Sequence, residues 1–364
     1  MTDLSIVPHG TVLIRNGVIE DVGPARRVEN LAGAKKAREI DATGRVVMPA
    51  FIDADMALVV PTPDTTQGLH VMSRQRIQAR AAAVASEWAR YGCLSVGART
   101  PWATDIKNIG KVLRTHHALQ SKPLRIRSIF SPVITDGDID ALTSIWLPAV
   151  RLKKLASILE LTVEELPASF DTPLLRNAAI AAAALGFAIR LRSVCRLGQA
   201  HLELALAAGA IAIVAPNDSA RSFIGPLGSM GCVRVIPASE GFDDSVNAAR
   251  DMRTALDEGA AIALSSSYRT QETSSCNMQF LLHLAVCRLG MTVEEAITAS
   301  TWNGACSLRL SHVTGSLEPG KKADLLLLDV PDYRELPRRA GHHDVSLVMR
   351  TGQVVFRSSP LMQD

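Results

Sequence analysis

The sequence has no C-x-x-C pair. Its six cysteines (Cys93, Cys195, Cys232, Cys276, Cys287 and Cys306) are scattered, which excludes a zinc-ribbon site and a disulfide framework and fits reduced thiols. No apolar run reaches the roughly 18 residues that a membrane span needs. The opening residues, MTDLSIVPHG, have no charged region followed by an apolar one, so no secretory signal is expected. Basic runs and basic stripes interleaved with aromatics are also missing. With a net charge of only +3, nucleic-acid binding has no support. G-x-G-x-x-G does not occur, nor does any low-complexity segment or sequence repeat. These absences leave a cytoplasmic protein with no membrane and no nucleic-acid partner.

What is present is globular: 364 residues, 47% hydrophobic and 21% charged, enough for one large core and a small accessory domain. Thr11–Ile14 and Val18–Val22 read as strands around an Asn16-Gly17 turn, because Asn-Gly tolerates positive φ. From Val46 the pattern becomes strand, helix, strand, helix. Strands are expected at Val46–Ile52, Cys93–Gly97, Leu124–Phe130, Leu155–Leu159, Phe187–Leu191, Ala210–Val214, Cys232–Ile236 and Ala260–Ser265. Helical segments lie between them, among them His70–Tyr91 and the weakest unit, Asn217–Met230. Gly186, Gly209 and Gly259 each end a helix just before an apolar strand. Alternation of this kind predicts a parallel sheet. A count of eight over a span near ~250 residues predicts an α/β fold of the (β/α)8 TIM-barrel kind, with an open doubly wound sheet as the alternative. Thr292 and Glu295 form a T-x-x-E capping box. Leu325–Leu328, Ser346–Met349 and Gln353–Phe356 return to strand. Both chain ends are thus β-rich, and they are expected to share a small β-sandwich domain, residues 1–48 plus 316–364, beside a barrel of residues 49–315.

The pivotal stretch is Arg45–Val60, RVVMPAFIDADMALVV. Alternate side chains of a strand share a face, so Asp53, Asp55 and Ala57 point the same way if the chain stays extended. Two buried carboxylates on one face need a cation or hydrogen-bond partners. The plainer alternative is a strand end running into a solvated loop.

Pro49, Phe51, Ile52 and Asp53 resemble the first barrel strand of the amidohydrolase superfamily, P-G-[FL]-[IV]-D-x-H-x-H. Thr301, Asn303, Ala305 and GSLEPGKKADLLLLD resemble its closing signature. PDYRELPRRAGHHDVSLVMRTGQVV, RTALDEGAAIALSSSYR and CNMQFLLHLAVCRLGMTVEEAITAST narrow the likeness to imidazolonepropionase. The resemblance is dense from Arg253 onward and covers most of the chain. It implies a hydrolase acting on C–N bonds of cyclic amides, with one divalent metal, zinc or iron, held at the C-terminal ends of the strands. The ligand positions it implies carry other residues. The H-x-H pair becomes Asp55 and Ala57, and the strand-five His becomes Arg192, within Arg192–Cys195. The strand-six His falls near Ala215, and S-T-D after strand eight becomes Ser265–Ser267. The substrate-contacting stretch after strand two becomes Ala98–Ala103.

No metal ligand set and no catalytic residue is therefore assigned, and no cofactor is expected. The nine histidines fall on helices, in loops or in the terminal sheet domain. The remnant pocket is Asp53, Asp55, Arg99, Arg192 and Ser267. Arg192 is expected to take up part of the former metal position and to pair with Asp55 and also Asp53, with Ser267 accepting one of its N–H groups. The leading reading is a non-catalytic paralogue, a pseudoenzyme that binds a small molecule or an active homologue, and a homodimer. The alternative is a working cyclic-amide hydrolase.

Overall fold

The computed structural model describes residues 6–59, 69, 72–101, 106–120, 123–134, 138–163, 172–193, 199–215, 228, 231–237, 245–268 and 275–358. Eight strands, β4 (Phe51–Met56), β5 (Cys93–Arg99), β6 (Arg125–Phe130), β7 (Ile158–Val163), β8 (Ala188–Ser193), β9 (Ala212–Val214), β10 (Val233–Pro237) and β11 (Ile262–Ser265), pair in sequence order. Every adjacent pair is parallel. The ends of β11 and β4 meet through two backbone bonds, Ser267 N–H to the Asp55 carbonyl (3.0 Å) and Ala57 N–H to the Tyr268 carbonyl (3.2 Å). The result is a (β/α)8 barrel.

Helices follow the strands: α1 (Arg74–Arg90), α2 (Ile106–Leu119), α3 (Ile139–Ala141, a π turn Leu142–Trp146, and Leu147–Leu152), α4 (Thr172–Ala184), α5 (Gln199–Ala208), α6 (Ser245–Asp257) and α7 (Met278–Cys287). Two more, α8 (Val293–Ser300) and α9 (Trp302–Ser307), close the barrel. The Thr292–Glu295 capping box forms as the sequence predicts, each side chain bonding the other residue's backbone N–H. Gly186 and Gly259 take φ of +82° and +85°, the left-handed turn that lets a helix stop and feed a strand. His70, at the expected start of α1, and the Asn217–Met230 unit (Gly228 apart) lie outside the described residues.

The barrel is filled, not hollow. Ile52, Ile129, Ile158 and Ala188 pack on Ala305, Leu308 and Leu310 from α9 and the turn after it, and Ala54, Ala212, Val214, Val233, Val235 and Ala263 form a second internal cluster. Gly97 is needed at this level. A Cβ there would sit 2.5 Å from the Ala54 carbonyl and 2.7 Å from Leu308.

One expected strand divides. Val46–Ile52 is not a single element: β3 (Val46–Pro49) pairs antiparallel with β12 (Leu325–Leu328), and the chain enters the barrel only at Phe51. Pro49 has no N–H to continue a ladder, and Ala50 N–H turns to the Asp324 carbonyl (3.1 Å). The sheet that β3 joins runs β14 (Gln353–Arg357), β13 (Val345–Arg350), β12, β3. The N-terminal hairpin of β1 (Gly10–Arg15) and β2 (Val18–Pro24) is a separate sheet. Its Val12 and Ile14 pack on Leu325, Leu327, Leu347 and Met349, which makes the two sheets a small sandwich. The other face, Leu326, Leu328, Val345 and Val348, packs into the cluster that holds Trp88 and Ala85 of α1. This is why β12 is four consecutive leucines: it is buried on both sides.

Candidate functional site

The C-terminal mouth of the barrel is built by the ends of β4, β5, β7, β8 and the segment after β11. Its geometry starts with a β-bulge. β4 and β5 run Asp53 opposite Val96 and then Met56 opposite Ala98, so three steps of β4 face two of β5. A bulge inserts one residue and re-aims the side chains after it. The expectation that Asp53 and Asp55 share a face therefore fails. Asp53 accepts from Trp88 Nε1 on α1 (3.1 Å), from Ser266 N–H (3.0 Å), from Asp55 N–H (3.2 Å) and from the Ser266 hydroxyl. It is fully buried, and burial pushes its carboxyl up to about 6 against the opposing pull of these donors.

Asp55 turns instead toward the barrel axis. Arg192 Nη2 lies 2.8 Å from its Oδ2, and Arg190 Nη2 lies 2.5 Å from its Oδ1. Arg99 Nε is 3.6 Å away. The expected Arg192–Asp55 pair is thus present in the structure, whereas Asp53 is no partner of Arg192. Ser267 also departs from expectation. Its hydroxyl donates to Asp55 Oδ2 at 3.5 Å rather than accepting from Arg192, because its backbone, at φ +46°, is tied to the Asp55 carbonyl.

Two members of the cluster escaped the sequence reading, Glu160 on β7 and Arg190 on β8. Glu160 Oε1 accepts from Arg192 Nε (2.9 Å) and from the Ser131 hydroxyl (2.9 Å), and its Oε2 lies 2.6 Å from Arg190 Nε. Asp55, Arg190, Glu160 and Arg192 therefore form a closed ring of alternating charge. Each carboxylate lies between two guanidiniums, and each guanidinium between two carboxylates. The signal was available: Arg190-Leu191-Arg192 puts two arginines on one face of a strand, and Glu160 interrupts the apolar Ile158–Leu161.

All four side chains are buried, Asp55, Glu160 and Arg190 completely. Burial alone would raise both carboxyls. The opposing fields of Arg192 and Arg190, joined by Arg99 at Asp55, hold both below the ordinary carboxylate range. Arg192 is held above its ordinary value by Asp55 and Glu160 despite its own burial. Both carboxylates of the ring are thereby favoured in their charged form.

The divalent metal implied by the resemblance does not fit these residues. Such an ion needs three or more converging donors. Here both oxygens of Asp55 and of Glu160 already face guanidiniums, and three arginine side chains would repel a cation. Among the described residues no group of three or more His, Cys, Asp or Glu is placed to hold a metal. Ser265 and Ser267 hydroxyls lie 3.3 Å apart with no histidine bonded to either among the described residues. One serine–histidine contact does occur, Ser193 Oγ to His201 Nε2 at 3.2 Å. Strand alternation turns Ser193 away from the face shared by Arg190 and Arg192, so this contact ties β8 to α5. Cys195 and Trp102–Ala103 lie outside the described residues.

Residues 236–355 match the family described as Amidohydrolase family. Curated imidazolonepropionases align along nearly the whole chain. The Solibacter usitatus protein is 29% identical, covering 99% of this chain and 94% of its own, and the Porphyromonas gingivalis protein (strain ATCC 33277) is 27% identical, covering 96% and 90%. Among solved structures, 5-methylcytosine deaminase from Klebsiella pneumoniae superposes with a TM-score of 0.76 at 15% identity, over 96% of this chain and 94% of that one. N-isopropylammelide isopropylaminohydrolase from Burkholderia multivorans superposes with a TM-score of 0.72 at 15% identity, over 95% and 94%. These likenesses of shape carry the fold. The chain is thus similar to the amidohydrolase family over residues 236–355 and to imidazolonepropionases along nearly its whole length.

Proposed function

We propose that this protein is a non-hydrolytic amidohydrolase paralogue that uses its barrel mouth to bind a small molecule. The observation that carries this reading is the ring of Asp55, Arg190, Glu160 and Arg192, which, with Arg99, brings three guanidiniums together and occupies both carboxylates of the cluster, so that among the described residues no group is placed to hold a cation. Hydrolysis of an unstrained amide needs an activated water, and a water without a metal or a base keeps a pKa of about 15.7. Among the described residues no histidine bonds the Ser265 or Ser267 hydroxyl, and Ser193, which contacts His201, lies on the strand face turned away from the ring. What the mouth offers is a preformed, rigid, polar floor under the strand ends, where barrels of this architecture bind their ligands.

A second reading is favoured by the names of the relatives: a working hydrolase of C–N bonds in cyclic amides. Two measurements on the purified, dialysed protein separate the readings. The expected result is no stoichiometric zinc, iron or manganese by elemental analysis, and no turnover of imidazolonepropionate with or without added metal. One retained equivalent of metal together with turnover would overturn the non-hydrolytic reading.

A further inference from the structure

The opposite end of the barrel carries a second concentration of charge. β6 opens with Arg125, and Arg127 follows on the same interior-facing side, the side on which Ile129 meets Leu308. Arg309, in the turn after α9, and Arg350, at the end of β13, border the same region. Arg127 and Arg309 repel each other, as do Arg125 and Arg127, and Arg350 feels Arg125 as well. The acid among them is Asp324, and it is committed. It lies 2.5 Å from Arg125 Nη1 and accepts from Thr351 N–H (2.9 Å). Among the described residues Asp324 is thus the carboxylate beside these guanidiniums, and Arg350 Nη2 donates to the Gln120 carbonyl (3.2 Å).

Arg127 is the centre of this imbalance. Its Nη1 reaches Ser157 Oγ at 3.3 Å and its Nη2 reaches the Arg309 carbonyl at 3.4 Å, both long. Its Nε is buried and bonded to nothing among the described residues, and neither Arg127 nor Arg309 makes an ion pair there. A half-buried cation with an unbonded, covered donor beside like charges is costly unless an anion joins its exposed part.

Arg309 adds a second, independent sign. α9 ends in a turn where Leu310 N–H bonds the Ala305 carbonyl (2.8 Å) and Arg309 takes φ +52°. Glycine is the usual occupant of that left-handed position. An exposed arginine there is a poor backbone choice, and strained residues of this kind cluster where a side chain is needed for binding.

We propose that this end of the barrel is a binding site for a phosphate group, with Arg127 and Arg309 as its main contacts and Arg125 and Arg350 as the positive wall behind them. A phosphate suits it better than a lone carboxylate. Its two charges and its several acceptor oxygens serve more than one guanidinium at once. The site is separate from the barrel mouth and does not depend on what the mouth does.

The test is thermal unfolding and calorimetric titration with inorganic phosphate and with glycerol phosphate, against sodium chloride at matched ionic strength. The expected result is a rise in Tm with either phosphate beyond that given by chloride. A rise with inorganic phosphate alone assigns the site to the free ion, and a rise with both assigns it to phosphate esters as well. Arg309→Gly removes one guanidinium while giving the backbone the residue it prefers. It should weaken binding by about tenfold or more, the loss of one charge-assisted contact, with a phosphate-free Tm at or above wild type. Three results would overturn the proposal: no phosphate-specific rise in the wild type, an undiminished rise in Arg309→Gly, or a variant less stable than wild type without phosphate. The last would give Arg309 a structural role instead.

Discussion

Replacing Arg192 by Ala should cost more stability than any exposed charge change in this protein. The guanidinium holds Asp55 Oδ2 at 2.8 Å and Glu160 Oε1 at 2.9 Å, and both carboxylates are fully buried. Without it, each keeps Arg190 as its short contact, at 2.5 Å and 2.6 Å. One guanidinium then faces two desolvated carboxylates, with Arg99 at 3.6 Å from one of them. Breaking a buried pair by removing one partner costs roughly 3–5 kcal/mol, because the charge left behind has lost both water and partner. That is a large share of the roughly 5–15 kcal/mol that keeps a protein folded. Urea unfolding of wild type and Arg192→Ala, followed by far-ultraviolet circular dichroism, reads the difference. The double variant Asp55→Ala with Arg192→Ala leaves Arg190 and Glu160 as a matched pair and should recover part of the loss. A single variant costing under about 1 kcal/mol, the range of exposed pairs, would refute the reasoning. So would a double variant no more stable than the single.

Asp53 gives a pH signature of its own. Its folded pKa, pushed up to about 6 from 3.8, lies above the unfolded value. Its contribution is therefore complete below about pH 3.8 and is lost as pH rises through about 6, a change of about 3 kcal/mol. The stability difference between wild type and Asp53→Asn should shrink by that amount across this window, and a difference that stays flat would contradict the assignment. His116 behaves in the opposite sense. It is fully buried in α2 with no hydrogen-bond partner on either ring nitrogen among the described residues, and burial pushes it down to about 3. Stability linked to it is present above its unfolded value near 6.5 and is lost as pH falls toward 3. His116→Leu should raise stability at neutral pH by roughly 1–3 kcal/mol, the cost of an unsatisfied buried polar group, and flatten the acid limb of the stability profile. A destabilised variant would show that the ring has a partner.

The barrel was readable because each of its units repeats one local message: an apolar strand, an amphipathic helix, and a glycine such as Gly186 or Gly259 that ends the helix. Hydrophobic periodicity needs no tertiary information. The β4 bulge was not readable. It depends on how β4 meets β5, and nothing in FIDADM fixes which residue is the extra one. That one residue decides whether Asp53 faces Trp88 or Arg192. Glu160 and Arg190 were missed for a related reason. A charged side chain inside an apolar strand reads as solvent-facing in a sheet, and only closure of the barrel turns that face inward to meet its counter-charges. Arg192 and Asp55 could be paired from sequence because the resemblance placed both at positions around one point.

The sheet that joins β3 to β12 has a consequence for how the chain is made. Val46–Pro49 pairs with Leu325–Leu328, and nearly the whole barrel is translated between the two. During synthesis β3 waits without its neighbour while strand after strand emerges. The α1 face, around Trp88 and Ala85, likewise lacks Leu326 and Leu328 until the end. Pairings of such long sequence separation form late and slowly, and unpaired strand edges with exposed apolar surface are where nascent chains aggregate. A ribosome-stalled chain ending before β12 should therefore be protease-sensitive at β3 and α1, and both should gain protection together once the four leucines and β13 behind them have emerged.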